Sequence, residues 1–523
     1  MHGVRALRPL SPSVWASAFA GDPDLDFLLY LVDAGVHVLP VDRLPGAFVV
    51  PNHSSFVEKL SLAAPILREE LDHAILVPAP AGCVSRFVHP MGTVPKGAGV
   101  RIIQDLSSPF GASINAEQRH WHRSWMSADS IMAMLQPGDY IAKTDISAYY
   151  RQLPVHPLHW PLLALQFEDM HVWDTRLPFG LRTAPEIADR VTAALVRRAA
   201  GVGCIARLAA VVDDFTVFHQ DAGTCARDWR WLMGDMTSLG FPVHPSKSEG
   251  PAQEQKVLGI VWNSVAMTAS LDATKLAQLK EKLAKFVGAK KCTKRELQSV
   301  LGHLYYASRV VFAGRVFTFH LAQLLRQSHA RLPHHRIYLN AAAKSDLRWW
   351  LAHVDMCNGQ QALLPAKPVC WRSFQTDASL TGGPGGQPCI GIWLEGAYVS
   401  LSRVQLLAMF SDVPCLGADI NIWEFYCVVV ACRLFGDYMS GQHWRVRTDN
   451  SSCEAWIMRG VRSSPLVAGW LRELMSLSLH LGFRLTAKHI AGALNVVADA
   501  LSRCEWATFH TYLLHHKCTF SAS

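Results

Sequence analysis

The sequence has no apolar run approaching the roughly 18 residues that a membrane-crossing helix needs, so no membrane partner is expected from its hydropathy pattern. It also lacks any CxxC pair or Cys/His pair at zinc-ligand spacing, and its 13 cysteines are scattered and odd in number. They read as free, mostly buried thiols of a reducing compartment. The expected location is the cytoplasm, with entry into the nucleus left open. The N-terminal stretch MHGVRALRPLSPSVWASAFAGD contains an AFA that imitates a cleavage site, but prolines and serines interrupt its apolar centre, so a secretory signal is not expected. There is no internal repeat and no long low-complexity tract. Excess charge is small: 50 Lys and Arg against 42 Asp and Glu give +8, which favours polyanions only mildly and requires any basic groove to be local. With 523 residues, half of them hydrophobic, the chain can bury more than one core.

What the sequence does contain is acid in apolar surroundings. The run AVVDDF, residues 210 to 215, sets Asp213 and Asp214 side by side between alternating apolar segments that read as two strands and a tight turn. Adjacent ionised carboxylates at such a turn repel each other unless a cation lies between them, and a divalent metal is the natural partner. Upstream, KTDISAYYRQLPVHP places Asp145 at the end of a short apolar run, where a neighbouring strand could carry it to the same metal. Between them, LPFGLRTAPEIADRV has Gly180 and Pro185 punctuating an apolar run before a helix.

A second set of acids lies in the C-terminal third. FQTDASLTGG carries Asp377 at a strand end, and NIWEFYCVVVACRLF carries Glu424 in a long apolar helix, where a lone buried glutamate is costly unless it faces a metal. WRVRTDNSSCEAW places Asp449 at another strand end, and HIAGALNVVADALSR places Asp499 in a C-terminal helix. Carboxylates arriving from separate elements suit a two-metal site that hydrolyses a phosphodiester in line.

Taken in order, VPKGAGVRIIQDLSSPFGASIN, Asp145, the PFGL…TAP segment, Asp213 and Asp214, HPSKSEGP and VLGIVWN resemble the successive blocks of a reverse transcriptase. TDAS, WE, TDN and AD resemble the acidic set of ribonuclease H. With LGHLYYAS, LRWWL and N…ADALSR, residues 90 to 505 look like the reverse transcriptase and ribonuclease H region of DIRS-like retrotransposons, and more distantly like gypsy-type and pararetroviral enzymes. The resemblance implies an α/β (α+β) right-hand polymerase with fingers, palm and thumb, a helical connection, and a ribonuclease H-like α/β domain. The expected spans are an N-terminal extension at 1–60, fingers and palm at 61–262, helical thumb and connection at 263–365, the ribonuclease H-like domain at 366–505 and a tail at 506–523.

The same resemblance implies RNA-directed DNA synthesis and degradation of the RNA in the RNA-DNA hybrid. Its partners would be an RNA template, a DNA primer, the RNA-DNA hybrid and dNTPs. Asp145 and Asp213 would hold two Mg²⁺ ions, with Asp214 at the primer end, and Asp377, Glu424, Asp449 and Asp499 would hold two more. Mn²⁺ is a substitute at such oxygen-only sites. Lys96 and Arg101 match fingers positions that meet the triphosphate, Tyr150 the ring that crowds the sugar 2′ position, Gly180 the nucleotide loop, and Lys247 a proton donor to pyrophosphate. Structural alternatives stay open: a packed palm tyrosine, a solvated basic pair, a surface ion pair.

His489 matches a proton-shuttling histidine or serves structure, and Trp349, Trp350 and Trp371 either stack on bases or pack in a core. Departures from the family are Val211 for a tyrosine, Ala188 for a phenylalanine, and TDASLTGGPGGQ without its usual tryptophan. Glu424 also stands in WEFY, where the family has a leucine-rich sequence. A noncatalytic, domesticated nucleic-acid-binding protein is the alternative reading. No aspartic protease DTG or DSG triplet and no zinc-binding integrase pattern is present, so integration machinery is expected elsewhere.

Overall fold

The alternation flanking Asp213 is realised as an antiparallel hairpin of Arg207–Val211 and Asp214–His219, with Val211 paired to Asp214 across the turn. The structure, a computed structural model, describes residues 10–39, 44–83, 85–97, 99–119, 126–204, 206–359, 372–461 and 464–515. The chain divides into two compact units: Met1–Leu258 with Trp262–Met267, and Gly259–Val261 with Thr268–Ser523. The division therefore falls inside the VLGIVWN turn.

In the first unit the hairpin joins Tyr140–Asp145 and Glu249–Ala252 in a four-stranded antiparallel sheet, with Tyr140–Asp145 and Asp214–His219 as its inner pair. Phe215, Val217 and Ala142 face a core shared with the helix Ala184–Gly201, which supplies Ile187, Ala188, Val191 and Leu195. Burial of each larger apolar side chain contributes about 1.5–3 kcal/mol. Ala188 thus sits in this core, fully buried. A five-stranded sheet and the antiparallel hairpin Met91–Lys96 with Gly99–Gln104 belong to the same unit.

The segment expected as an N-terminal extension is built into this core over its described part. Trp15, Phe19, Leu28 and Leu31 come from the helices Pro12–Ala18 and Leu25–Asp33, and Trp15 Nε1 donates to the Leu239 carbonyl at 2.9 Å. Arg197 ties Asp22 and Asp24 to the long helix at 2.7 and 2.9 Å. Its guanidinium holds the Asp22 carboxyl below the usual range. Sequence reading assigned no role here because the periodic segments are short and their partners lie more than 150 residues away.

In the second unit, leucine spacing gives the helix Ala273–Gly288, capped by Asp272 and buried along Leu279, Leu283 and Phe286. Lys294–Ala307 carries a Thr293/Glu296 capping box. A five-stranded mixed sheet follows. Ala397–Ser402, Gln387–Leu394 and Arg372–Gly383 run antiparallel, and His443–Thr448 and Arg484–His489 continue in parallel. The helix Ile420–Met439 is apolar nearly all round, as a helix enclosed by other elements must be, and Trp423 through Ala431 are buried on it.

The helices of the segment expected as thumb and connection belong to the same compact unit as this sheet. The fully buried Asp346 of Ala341–Cys357 pairs with Arg472, and Arg315 donates to the Met458 carbonyl at 2.7 Å. Residues 506–515, expected within a tail, instead form the helix Trp506–His515, which buries Phe509 and Leu513 against Val497 and Leu501. Trp350 is enclosed, with Nε1 bonded to Phe317 O, and Trp349 stacks on Phe317 at 3.8 Å, so both serve packing. Trp371 lies outside the described residues, as does most of the boundary segment 358–370. No helix among the described residues is long and apolar enough to cross a membrane.

Candidate functional site

Register brings the first acids together. Asp214 opens its strand directly opposite Asp145, which closes the neighbouring one, and Asp213 sits in the two-residue turn. Val212 has φ +53°, a left-handed conformation that a β-branched residue adopts only under constraint, at a cost of about 1–3 kcal/mol. Thr192 Oγ1 donates to the Val212 carbonyl at 2.6 Å, and Ile146 N to the Asp213 carbonyl at 3.0 Å, and these bonds fix the turn. Oxygens of Asp145, Asp213 and Asp214 then lie within 4.8 Å of one another.

The cluster strains its own ionisation. Withdrawal from water, then the Asp145 charge, raises the Asp213 pKa. Crowding by protein atoms and the fields of Asp213 and Asp145 push Asp214 up to about 7, although part of its side chain reaches solvent. Lys247 donates from Nζ to both Asp145 oxygens, at 2.8 and 2.9 Å. Partial burial, with repulsion from Arg101 and Lys247, holds the Lys96 ammonium below its ordinary range. These couplings put Lys96, Arg101 and Lys247 around one acidic centre. Lys247 does form an ion pair, and its partner is the cluster itself.

An aromatic wall adjoins the cluster. The Arg101 guanidinium lies 5.2 Å from the Phe179 ring, and Tyr150 packs on the same ring at 5.3 Å. Burial, then the Asp213 charge, pushes the Tyr150 phenol up to about 12. Gly180 has φ +121°, and a Cβ there would lie 2.0 Å from the Gln104 carbonyl oxygen. Only glycine lets the PFGL segment approach the Gly99–Gln104 strand this closely. From the sequence alone Phe179 had no assigned role. An aromatic between Pro and Gly beside the acidic blocks was the available signal.

The second cluster joins Asp377, Glu424 and Asp449, again with oxygens within 4.8 Å. Glu424 is 5% exposed, and its Oε2 has no hydrogen-bond partner. Burial, then the fields of Asp377 and Asp449, push Glu424 up to about 9. Burial raises Asp377 to about 7 against the opposing Ser502 hydrogen bond. Asp499 lies outside the tight trio: its Oδ1 accepts from Arg503 Nε at 2.6 Å, although its charge is still felt at Asp377. His489 is exposed beside the cluster, its Nε2 3.0 Å from the Asp449 carbonyl oxygen. Two residues that sequence reading did not assign enter here. Asn495 Nδ2 reaches Asp449 Oδ1 at 3.2 Å and Asp377 Oδ1 at 3.5 Å, and Ser502 Oγ donates to Asp377 Oδ2.

Both clusters fit divalent cations. Their donors are all carboxylate oxygens, the choice of hard ions such as Mg²⁺, and an orphaned buried oxygen on Glu424 is a coordination valence that no protein donor fills.

An antiparallel sheet bearing one acidic trio, followed along the chain by a mixed sheet bearing another, defines a mixed α/β, polymerase-like fold. No protein-family model matches the chain. Solved structures do. A foamy viral protease-reverse transcriptase dRH in complex with double-stranded DNA is 15% identical, with a TM-score of 0.52 over 93% of this chain and 82% of that one. The foamy viral protease-reverse transcriptase in complex with RNA/DNA hybrid is 14% identical, with a TM-score of 0.52 over 91% of this chain and 62% of that one. At these identities the likeness is one of fold, and the chain has a reverse transcriptase-like fold.

Proposed function

We propose that the protein is an RNA-directed DNA polymerase with ribonuclease H activity, acting in the replication of a DIRS-like retrotransposon. The observation that carries this reading is the occurrence of two separate oxygen-only acidic trios on a reverse transcriptase-like fold. RNA template, DNA primer, RNA-DNA hybrid and dNTPs are the proposed partners, with no membrane, and the proposed location is the cytoplasm with access to the nucleus.

Asp145, Asp213 and Asp214 would hold two Mg²⁺ ions at the first site, and Asp377, Glu424, Asp449 and Asp499 two at the second, with Mn²⁺ as a substitute. Such ions, when bound, acidify the attacking hydroxyl or water and neutralise the leaving oxygen. The remaining work falls to the protein's own side chains. Lys96 and Arg101 bind the incoming triphosphate, Arg101 with a forked donor set braced on Phe179. Tyr150, wedged against Phe179, narrows the space beside the sugar and disfavours a 2′ hydroxyl. Lys247 gives up a proton toward the departing pyrophosphate. Gly180 admits the nucleotide loop to the Gly99–Gln104 strand.

The test is extension of a labelled DNA primer on RNA with Mg²⁺ and dNTPs, by the native chain, Asp213→Asn and Asp449→Asn. Extension that disappears in Asp213→Asn and persists in Asp449→Asn, with hybrid cleavage showing the opposite pattern, is the expected result. A folded native chain that binds the hybrid but neither extends nor cleaves would replace this reading with the noncatalytic one.

A further inference from the structure

The helix Val496–Ser502 lies directly on the mixed sheet of the second unit, and two glycines make that approach possible. Gly391 stands opposite Asp377 in the strand register. A Cβ at Gly391 would lie 2.3 Å from the Ala498 carbonyl oxygen and 2.6 Å from Ser502 N. One at Gly382 would lie 2.5 Å from the Ser502 carbonyl oxygen. No larger residue fits at either place without lifting the helix.

Because the backbones touch, a side chain as short as serine spans the gap. Ser502 is completely buried, among Ala498, Ala500 and Leu501. A buried hydroxyl is costly unless bonded, and its one proton has two acceptors within reach, Asp377 Oδ2 and the Asp499 carbonyl oxygen at 2.9 Å. The bond to a carboxylate is the stronger of the two. Asn495, also fully buried, approaches the other Asp377 oxygen and donates to the Thr376 carbonyl at 3.0 Å. Asp377 is therefore held from both sides by one short segment, which also carries Asp499.

We infer that Ser502 is a positioning residue of the second site: it fixes the Asp377 carboxylate in the orientation that receives a divalent cation, using the close approach permitted by Gly391 and Gly382. This rests on the proposed reading of that site as a metal-dependent nuclease.

The experiment uses the full chain with Asp145→Asn and Asp213→Asn, so that bound Mn²⁺, read by electron paramagnetic resonance, reports on the second cluster. Ser502→Ala should weaken Mn²⁺ binding by about 10- to 100-fold, the range for removing a partner that orients a metal ligand. The metal-free unfolding midpoint should fall only modestly, by the loss of the one hydrogen bond to Asp377. Ser502→Cys, which keeps a weak donor, should fall between the two and serves as the reading if the alanine variant does not fold. In the otherwise native chain, Ser502→Ala should lower kcat for hybrid cleavage with KM for the hybrid unchanged, and raised Mn²⁺ should restore it. Unchanged Mn²⁺ binding in folded Ser502→Ala or Ser502→Cys overturns the inference, as does a parent chain that binds no Mn²⁺. Serine-dependent Mn²⁺ binding in a native chain that cleaves no hybrid upholds the positioning role and removes only the nuclease reading.

Discussion

Replacing Glu424 by glutamine should remove the pH dependence that this one carboxyl imposes on the metal-free fold. Glu424 is 5% exposed, shares its site with Asp377 and Asp449, and has its pKa pushed from 4.5 to about 9. The folded chain therefore holds this proton more tightly than the unfolded chain does. Its contribution to stability is fully present below pH 4.5 and is lost as the pH rises toward 9. Over the three pH units from 5 to 8 the unfolded glutamate is ionised while the folded one stays protonated, which at 1.36 kcal/mol per unit amounts to about 4 kcal/mol.

Glutamine mimics the protonated acid at pH 5 and does not titrate. With EDTA present, urea unfolding should thus find the two chains of similar stability at pH 5, and Glu424→Gln more stable by about 4 kcal/mol at pH 8. Mg²⁺ at about 100 times its dissociation constant should return about 2.7 kcal/mol to the native chain at pH 8, and much less to the variant. Parallel stabilities of the two chains across this range, differing by less than about 1 kcal/mol, would refute the placement of a buried, unbalanced carboxyl at this position.

The first site gives further expectations. Tyr150→Ala opens the space beside Phe179 and should raise ribonucleotide incorporation relative to deoxyribonucleotide by about 10-fold or more, the effect of removing about 1.4 kcal/mol of discrimination, read from single-nucleotide extension. Gly180→Ala places a methyl 2.0 Å from the Gln104 carbonyl in a left-handed backbone. It should cost about 2–3 kcal/mol in urea unfolding and abolish extension, while hybrid cleavage continues.

The acids were legible because each stands out from its neighbours. Asp145, Asp213, Asp377 and Asp449 terminate or interrupt alternating apolar runs, and Glu424 is a charge in an otherwise apolar helix. Strand and helix periods are written in residues close along the chain, so the hairpin at Asp213, the helix Ala273–Gly288 and the order of the elements followed from sequence alone. Val211 and Ala188 read from the sequence as departures from the family pattern. In the fold one closes the hairpin register and the other fills the core beneath it.

Tertiary structure decided what periodicity does not encode. It turned the short N-terminal helices into core by setting Trp15 under Leu239, and the expected tail into a helix covering Val497 and Leu501. It drew the Asp499 carboxylate to Arg503 and gave Lys247 the two oxygens of Asp145 as partners. Ser502 and Asn495 are unremarkable residues of a helix and its cap when read along the chain. They acquire a role only because glycines at 382 and 391 let that helix touch the strand carrying Asp377, a contact between residues 125 positions apart. The sequence determined which chemical groups the protein has and on which elements they ride, because both depend on composition and local period. Which of those groups meet, and with what freedom, was decided by backbone approach and long-range packing.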